Sequence, residues 1–229
     1  MDFFSWNEQN ILYEDNHLIV CVKPFGILSQ ADKSDGTDML TLLKSYLKQK
    51  YNKPGNVFVG LIHRLDRVSG GVMVFAKTSK CASRLSDEVR GRILKKRYLA
   101  VVQGTNLLSK GELKDYLIKD GIKNKVSVVS KNTPNSKLAV LSYEVKKKHE
   151  KYSLISINLI TGRSHQIRAQ FASRNCPLYG DKKYGSKDSL EGYIGLWAES
   201  LSFVHPTTKE NMTFSFDPHE VKPFSLFTK

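Results

Sequence analysis

Three short stretches of the chain concentrate the residue types that chemistry needs. The first runs an apolar segment, Leu61-Ile62, into His63-Arg64-Leu65-Asp66-Arg67 and closes on Val68-Ser69-Gly70-Gly71. A carboxylate at the end of a rigid apolar element is held in place and can still face a cleft, as a nucleophile or base must. If a strand persists to Asp66, its period of two puts Arg64 and Asp66 on one side and His63 and Leu65 on the other. An Arg–Asp pair at a strand end is equally the pattern of a structural salt bridge.

The second stretch, Thr161-Gly162-Arg163-Ser164-His165-Gln166-Ile167-Arg168, is a glycine turn feeding a helix start. Free N–H groups, the Ser164 hydroxyl and the Arg163 guanidinium would together seat a phosphate there. His165 and Arg168 are three residues apart and share a helical face, from which Arg168 can reach a buried carboxylate. An ordinary capped helix with a satisfied histidine has the same pattern. The third stretch, Lys95-Lys96-Arg97-Tyr98, leads three cations into a strand that begins with an aromatic ring. That suits a flipped base beside a basic entry, although Tyr98 as plain strand core fits the same letters.

Periodicity supplies the elements that must hold these stretches. Ile11 to Tyr13 and Leu18 to Val22 predict a hairpin, which Lys23-Pro24-Phe25-Gly26 breaks. Leu40, Leu43 and Leu47 predict a helix over 37–50, capped by Thr37 or Asp35 and ended by Pro54-Gly55. Val57 to Leu65 and Val72 to Phe75 read as strands, Thr78 to Val89 as a helix and Tyr98 to Val102 as a strand. The polar stretch 104–136 reads as loops or a peripheral hairpin, and Lys146-Lys147-Lys148 as a solvated turn between two further strands or an RNA contact. Ser164 to Arg174 predicts a helix, and Leu196 to Val204 with Met212 to Phe216 a closing hairpin. Hairpin-linked strands with interspersed helices predict an α+β or α/β protein. No repeat, low-complexity tract or linker divides the sequence, so residues 1–229 are expected to form one catalytic domain.

Composition narrows the partner. Lys plus Arg number 36 against 22 Asp plus Glu, a net charge of +14 over 229 residues. The cations are spread along the chain and not gathered on one amphipathic helix, which points to nucleic acid ahead of membrane. A generally basic, soluble surface is the plainer alternative. Cys21, Cys81 and Cys176 lack the paired spacing of a metal site or disulfide framework, and no secretory leader or apolar membrane span is evident. The expectation is a cytoplasmic protein with no metal.

The motifs in their order resemble one family. His63-Arg64-Leu65-Asp66 with Ser69-Gly70-Gly71 and Ala76-Lys77-Thr78, then Arg97-Tyr98-Leu99-Ala100-Val101-Val102-Gln103-Gly104, then Thr161 to Arg168, then Pro177-Leu178-Tyr179-Gly180-Asp181 with Tyr184-Gly185, are similar to those of RluA-type RNA pseudouridine synthases. Leu196-Trp197-Ala198 and Phe203-Val204-His205-Pro206 continue the likeness. The resemblance implies an α+β pseudouridine synthase fold, a mixed, mainly antiparallel bent sheet with flanking helices and a basic cleft. It implies Asp66 as the catalytic carboxylate, Arg168 as its salt-bridge partner and Tyr98 as the ring that stacks on the base and aids proton removal. Arg64 would help hold the uridine out of its stack, and Arg67, Lys96, Arg97, Arg163, Ser164 and His165 would contact RNA. It implies no cofactor, metal or bound nucleotide. The expected partner is ribosomal or transfer RNA, and a monomer is expected, with oligomeric state left open by the sequence.

The chain departs from the family pattern where Ser69 and Gly70 replace the usual Thr and Ser, and Trp197 a common His. About ten residues precede the first strand, so the amino-terminal RNA-binding module of many relatives is expected to be absent. Two other readings stay open. A non-catalytic RNA-binding protein would keep the charge and fold, and a glycosidase-like hydrolase would want a second carboxylate, for which Asp181 is the candidate although a structural turn role fits it better.

Overall fold

The computed structural model describes residues 2–32 and 36–228. Its backbone contacts group into two compact units, residues 1–95 with 198–216, and residues 96–197 with 217–229. Among the described residues there are eleven strands and three α-helices. In the first unit these are β1 (Ile11–Glu14), β2 (Leu18–Lys23), α1 (Met39–Lys50), β3 (Gly60–Leu61), β4 (Gly70–Ala76) and α2 (Ser79–Arg90). Then come β5 (Lys95–Gln103), β6 (Lys110–Asp120), β7 (Lys125–Val129), β8 (Lys137–His149), β9 (Tyr152–Leu159), α3 (Gln166–Ala172), β10 (Leu196–Val204) and β11 (Asn211–Ser215). The class is α+β, one of the two that the pattern of elements left open and the one that the resemblance implies.

In the first unit β1 pairs β2, and β2 pairs β4, all antiparallel, with Leu18 opposite Ala76 and Lys23 opposite Gly71. β4 neighbours β10, whose later residues form the predicted hairpin with β11. Every residue of β2 and β4 is buried, so both strand faces are covered. Leu18, Val20, Val72 and Val74 share one cluster with Cys81 and Leu85 of α2 and with Leu201 and Phe203 of β10. The Thr78 hydroxyl caps α2 by accepting the Cys81 N–H at 3.2 Å. α1 begins two residues later than predicted because Asp38, and not Thr37, caps it, accepting the Leu40 and Thr41 N–H groups at 2.9 and 3.2 Å. The other cap candidate, Asp35, lies outside the described residues.

Gly71 is where this packing tolerates least. Its φ is +124°, and a Cβ there would lie 2.3 Å from the Ala198 carbonyl oxygen. Gly71→Ala is expected to cost about 2–3 kcal/mol through overpacking against backbone and a strained φ. A lowered urea midpoint at unchanged slope would show it.

The second unit holds an antiparallel run in the order β5-β9-β8-β6-β7. The polar stretch 104–136 supplies the β6–β7 hairpin, and Leu117 and Val126 from it pack with Ala139 and with Ala169 of α3. The lysine run is corrected: β8 passes through it, and the turn falls at Glu150 and Lys151. A bulge between Val145 and Lys147 accommodates the run. Its amines are tied down, Lys146 to Glu144 at 2.8 Å, Lys147 to the Phe227 carbonyl at 2.8 Å and Lys148 to the Thr105 carbonyl at 2.6 Å.

Candidate active-site residues

Asp66 stands in irregular backbone between β3 and β4, half-buried. The predicted strand to Leu65 is corrected, since β3 stops at Leu61. The reason is a change of hydrogen-bond partner. Leu65 donates its N–H to the Ser29 hydroxyl at 3.0 Å, and that hydroxyl donates back to the Leu65 carbonyl at 2.8 Å. Val74 N–H of β4 is met by the His63 ring at 3.4 Å in place of a strand carbonyl. The deduction that Arg64 and Asp66 share one strand side therefore lapses; Arg64 and Arg67 are both exposed.

The loop is nonetheless fixed on both sides of the carboxylate. The Asp66 carbonyl accepts the Ser69 N–H and the Ser69 hydroxyl, each at 3.1 Å. Arg67 accepts the Gly26 N–H at 2.9 Å and returns its Nε–H to the Gly26 carbonyl at 3.0 Å. Asp66 is thus carried on a segment stitched to residues 26–29, which is how an irregular loop can hold a side chain as firmly as a strand does.

The residue that sequence reading missed is Lys23, taken there only as part of the break that ends β2. It is fully buried, and its amine donates to the Pro24 carbonyl at 2.9 Å and the Ile27 carbonyl at 2.7 Å. Burial pulls its pKa down to about 7, with the Asp66 carboxylate acting in the opposite direction and the Arg67 charge reinforcing the fall. A lysine closing a wholly apolar strand just before Pro-Phe-Gly was the available signal. Lys23→Met removes the donor of two carbonyls and is expected to cost about 2–3 kcal/mol, read as a lower unfolding midpoint in urea.

In the second unit the arginine of the second stretch has a defined seat. Arg168, on α3, donates Nε–H and an Nη–H to the two oxygens of Asp181 at 2.7 and 2.9 Å. The side chains are 7% and 1% exposed, so the fork geometry of a bidentate pair operates here away from water. Asp181 is itself fixed, its carbonyl accepting the N–H groups of Tyr184 and Ser186 at 3.0 and 3.1 Å. Tyr184, from the same turn, lies 5.0 Å below the Arg168 guanidinium, and its hydroxyl meets His165 Nδ1 at 2.9 Å. The turn role weighed for Asp181 and the inward reach expected of Arg168 meet in this pair.

The start of α3 differs from the capped helix anticipated. The helix begins at Gln166, and its N-cap is His165 in the left-handed region at φ +47° with no side-chain cap. Gln166 instead ties down the preceding turn, its amide oxygen accepting the Arg163 N–H at 3.0 Å and the Thr161 hydroxyl at 2.8 Å. Ser164 does not cap, and the Arg163 Nε–H goes to the Leu138 carbonyl at 3.0 Å. On β5, Arg97 is exposed, Tyr98 is 6% exposed opposite Ile157 of β9, and burial lowers the Lys96 amine to about 8. The structure thus groups Arg163, Ser164, His165 and Arg168 around one turn. It places Lys96, Arg97 and Tyr98 on β5 of the same unit, and Arg64, Asp66 and Arg67 in the other.

A family model described as RNA pseudouridylate synthase matches residues 17–173, which include Asp66, Tyr98 and Arg168. The chain belongs to the RNA pseudouridylate synthase family. Among relatives of this chain, a protein named ribosomal large subunit pseudouridine synthase C from Buchnera aphidicola subsp. Baizongia pistaciae is 34% identical over 211 residues, covering 88% of this chain and 64% of the relative. An uncharacterized RNA pseudouridine synthase of Bacillus subtilis is 33% identical over 208 residues, 90% of this chain and 67% of its own length. This family member therefore spans about two thirds of the curated relatives it matches. Its fold is that of human RNA pseudouridylate synthase domain containing 4, at a TM-score of 0.78 and 22% identity over 95% of this chain and 91% of the other.

Proposed function

We propose that the chain is an RNA pseudouridine synthase that isomerises specific uridines in structured RNA, ribosomal or transfer, with Asp66 as the carboxylate that drives the reaction. The supporting observation is that one family match embraces Asp66, Tyr98 and Arg168. The ribosomal part of the reading rests on the names of relatives such as the Buchnera aphidicola protein. The net charge of +14 suits a polyanionic substrate.

The reaction breaks the bond between ribose and uracil nitrogen, turns the base and joins ribose to a uracil carbon. The carbon yields a proton and the nitrogen gains one, so mass is unchanged and no group or electron carrier is consumed. In this reading Asp66 acts as an anion, Arg168 favours that anion, Tyr98 stacks on the base and Arg64 holds the vacated helical position. Lys96, Arg97, Arg67, Arg163, Ser164 and His165 contact RNA, and residues 1–229 act as one catalytic domain, monomeric, cytoplasmic and without cofactor.

The direct test is to incubate the purified chain with ribosomal and transfer RNA transcripts and to map pseudouridine by carbodiimide modification. Product at discrete uridines is expected. RNA that binds yet carries no pseudouridine after prolonged incubation would overturn the enzymatic reading in favour of a binding protein.

A further inference from the structure

The carboxyl end of α1 gathers charge that none of these roles uses. Glu14 of β1 is 6% exposed and accepts four donors, Lys50 at 2.8 Å, Lys77 at 2.6 Å, the Tyr51 hydroxyl at 2.8 Å and the Tyr46 hydroxyl at 3.0 Å. Burial raises its pKa, but the Lys50, Lys77 and tyrosine donors outweigh burial and hold it at about 2. One carboxylate cannot balance what surrounds it. The amines of Lys77, Lys50 and Lys53 lie 5.0, 5.5 and 5.7 Å from the centre of the Tyr51 ring, and Tyr51 remains 48% exposed.

The arrangement is pre-formed. Asn52 takes the left-handed conformation at φ +45°, and the Asn52 and Lys53 N–H groups return to the carbonyls of Gln49 and Lys48 at 3.2 and 3.0 Å, which fixes the chain beyond the helix end. The negative end of a helix dipole attracts lysines of its last turn, as Lys48 and Lys50 show. It does not call for Lys77 from the end of β4, nor for Lys53, whose amine among the described residues makes no ion pair and lies over the ring. Three ammonium groups against one buried carboxylate, around a half-exposed aromatic ring, make a surplus of positive charge with a surface for a sugar or base.

We propose that the Tyr51 surface, with Lys50 and Lys53 beside it, is an RNA-backbone contact separate from the residues assigned to the reaction. The choice of RNA over another polyanion rests on the reading of the chain as an RNA enzyme. The contact adds affinity through phosphate neutralisation and has no part in turnover.

The test compares the parent full-length chain with Lys53→Glu and Lys44→Glu, using fluorescently labelled oligouridylate over a series of salt concentrations. Lys44 is an exposed α1 lysine and is not among the three cations over the Tyr51 ring, so it carries the same charge change elsewhere on the helix. Lys53→Glu is expected to weaken binding several-fold and to flatten the slope of log affinity against log salt by about one, while melting temperature and turnover at saturating RNA stay at the parent values. Lys44→Glu should do markedly less. Equal losses in both variants, or no loss in either, would overturn the proposal. So would polyglutamate competing as well as unlabelled oligouridylate, which would assign the surface to acidic polypeptides. The deciding readout is binding, so a parent that makes no pseudouridine would sink the enzymatic reading and leave the comparison of affinities and salt slopes standing.

Discussion

Asp66→Asn is expected to abolish pseudouridine formation, lowering single-turnover rates at least about a thousandfold, while RNA binding stays close to that of the parent. The substitution replaces a negative group by a neutral one of the same shape. The hydrogen bonds that fix residue 66 to Ser69 run through its backbone carbonyl and do not depend on the side chain. Those stitching Leu65 and Arg67 to Ser29 and Gly26 belong to neighbouring residues. The loop should therefore keep its path, and the variant should fold. Affinity for a polyanion comes mostly from phosphate neutralisation, which losing a carboxylate cannot weaken. What disappears is the ability to attack or to accept a proton as an anion. Carbodiimide mapping beside a filter-binding titration separates the two outcomes, and turnover within tenfold of the parent would remove Asp66 from the mechanism.

Asp181→Asn should produce the largest loss of stability, about 3–5 kcal/mol, the usual consequence of removing one partner from a buried ion pair. The asparagine is nearly isosteric, so the effect reports charge and hydrogen bonding and not a cavity. It offers one acceptor oxygen where the carboxylate presented two to Arg168, at 2.7 and 2.9 Å. With the pair almost wholly out of water, the guanidinium cannot recover solvation by a small shift. Urea unfolding should show a lower midpoint with an unchanged slope, and an unaltered midpoint would mean that the pair is not what holds Arg168. Arg168→Lys should behave similarly, because a point charge does not reproduce the planar fork.

The sequence made the fold legible where one local rule acted alone. Short apolar, partly β-branched runs marked β2 and β4, a 3.6-residue period marked α1 and α2, and polar turns marked the hairpins, because each signal comes from residues adjacent in the chain. It failed where a distant side chain replaced a backbone partner. Ser29 takes over the hydrogen bonds of Leu65, 36 residues away, and His63 occupies a ladder position on β4, so an apolar run that reads as one strand to Leu65 stops at Leu61. α3 starts without a side-chain cap, and Gln166 from inside the helix holds the preceding turn through the Arg163 N–H, which no search for Ser, Thr, Asp or Asn before the helix would find. Of the candidate site, Asp66 and Arg168 were legible as charged residues following apolar or glycine-turn segments. Lys23 was not, since a lysine at a strand end ordinarily means solvent, and only the folded chain brings two carbonyls within reach of its amine.

The first compact unit is assembled from two separated pieces of sequence, and β4 gains its neighbour β10 only from the later piece. During vectorial synthesis the amino-terminal strands leave the ribosome about a hundred residues ahead of the strand that completes them, several seconds at ordinary elongation rates. Throughout that interval the part of the open β4 edge beyond the Leu61–Phe75 and Gly60–Ala76 pairs with β3, with Val72 and Met73 in it, is a template for any extended segment nearby. A nascent chain stalled before residue 198 is accordingly expected to aggregate more readily than one that has gone past β10, the strand that closes that edge.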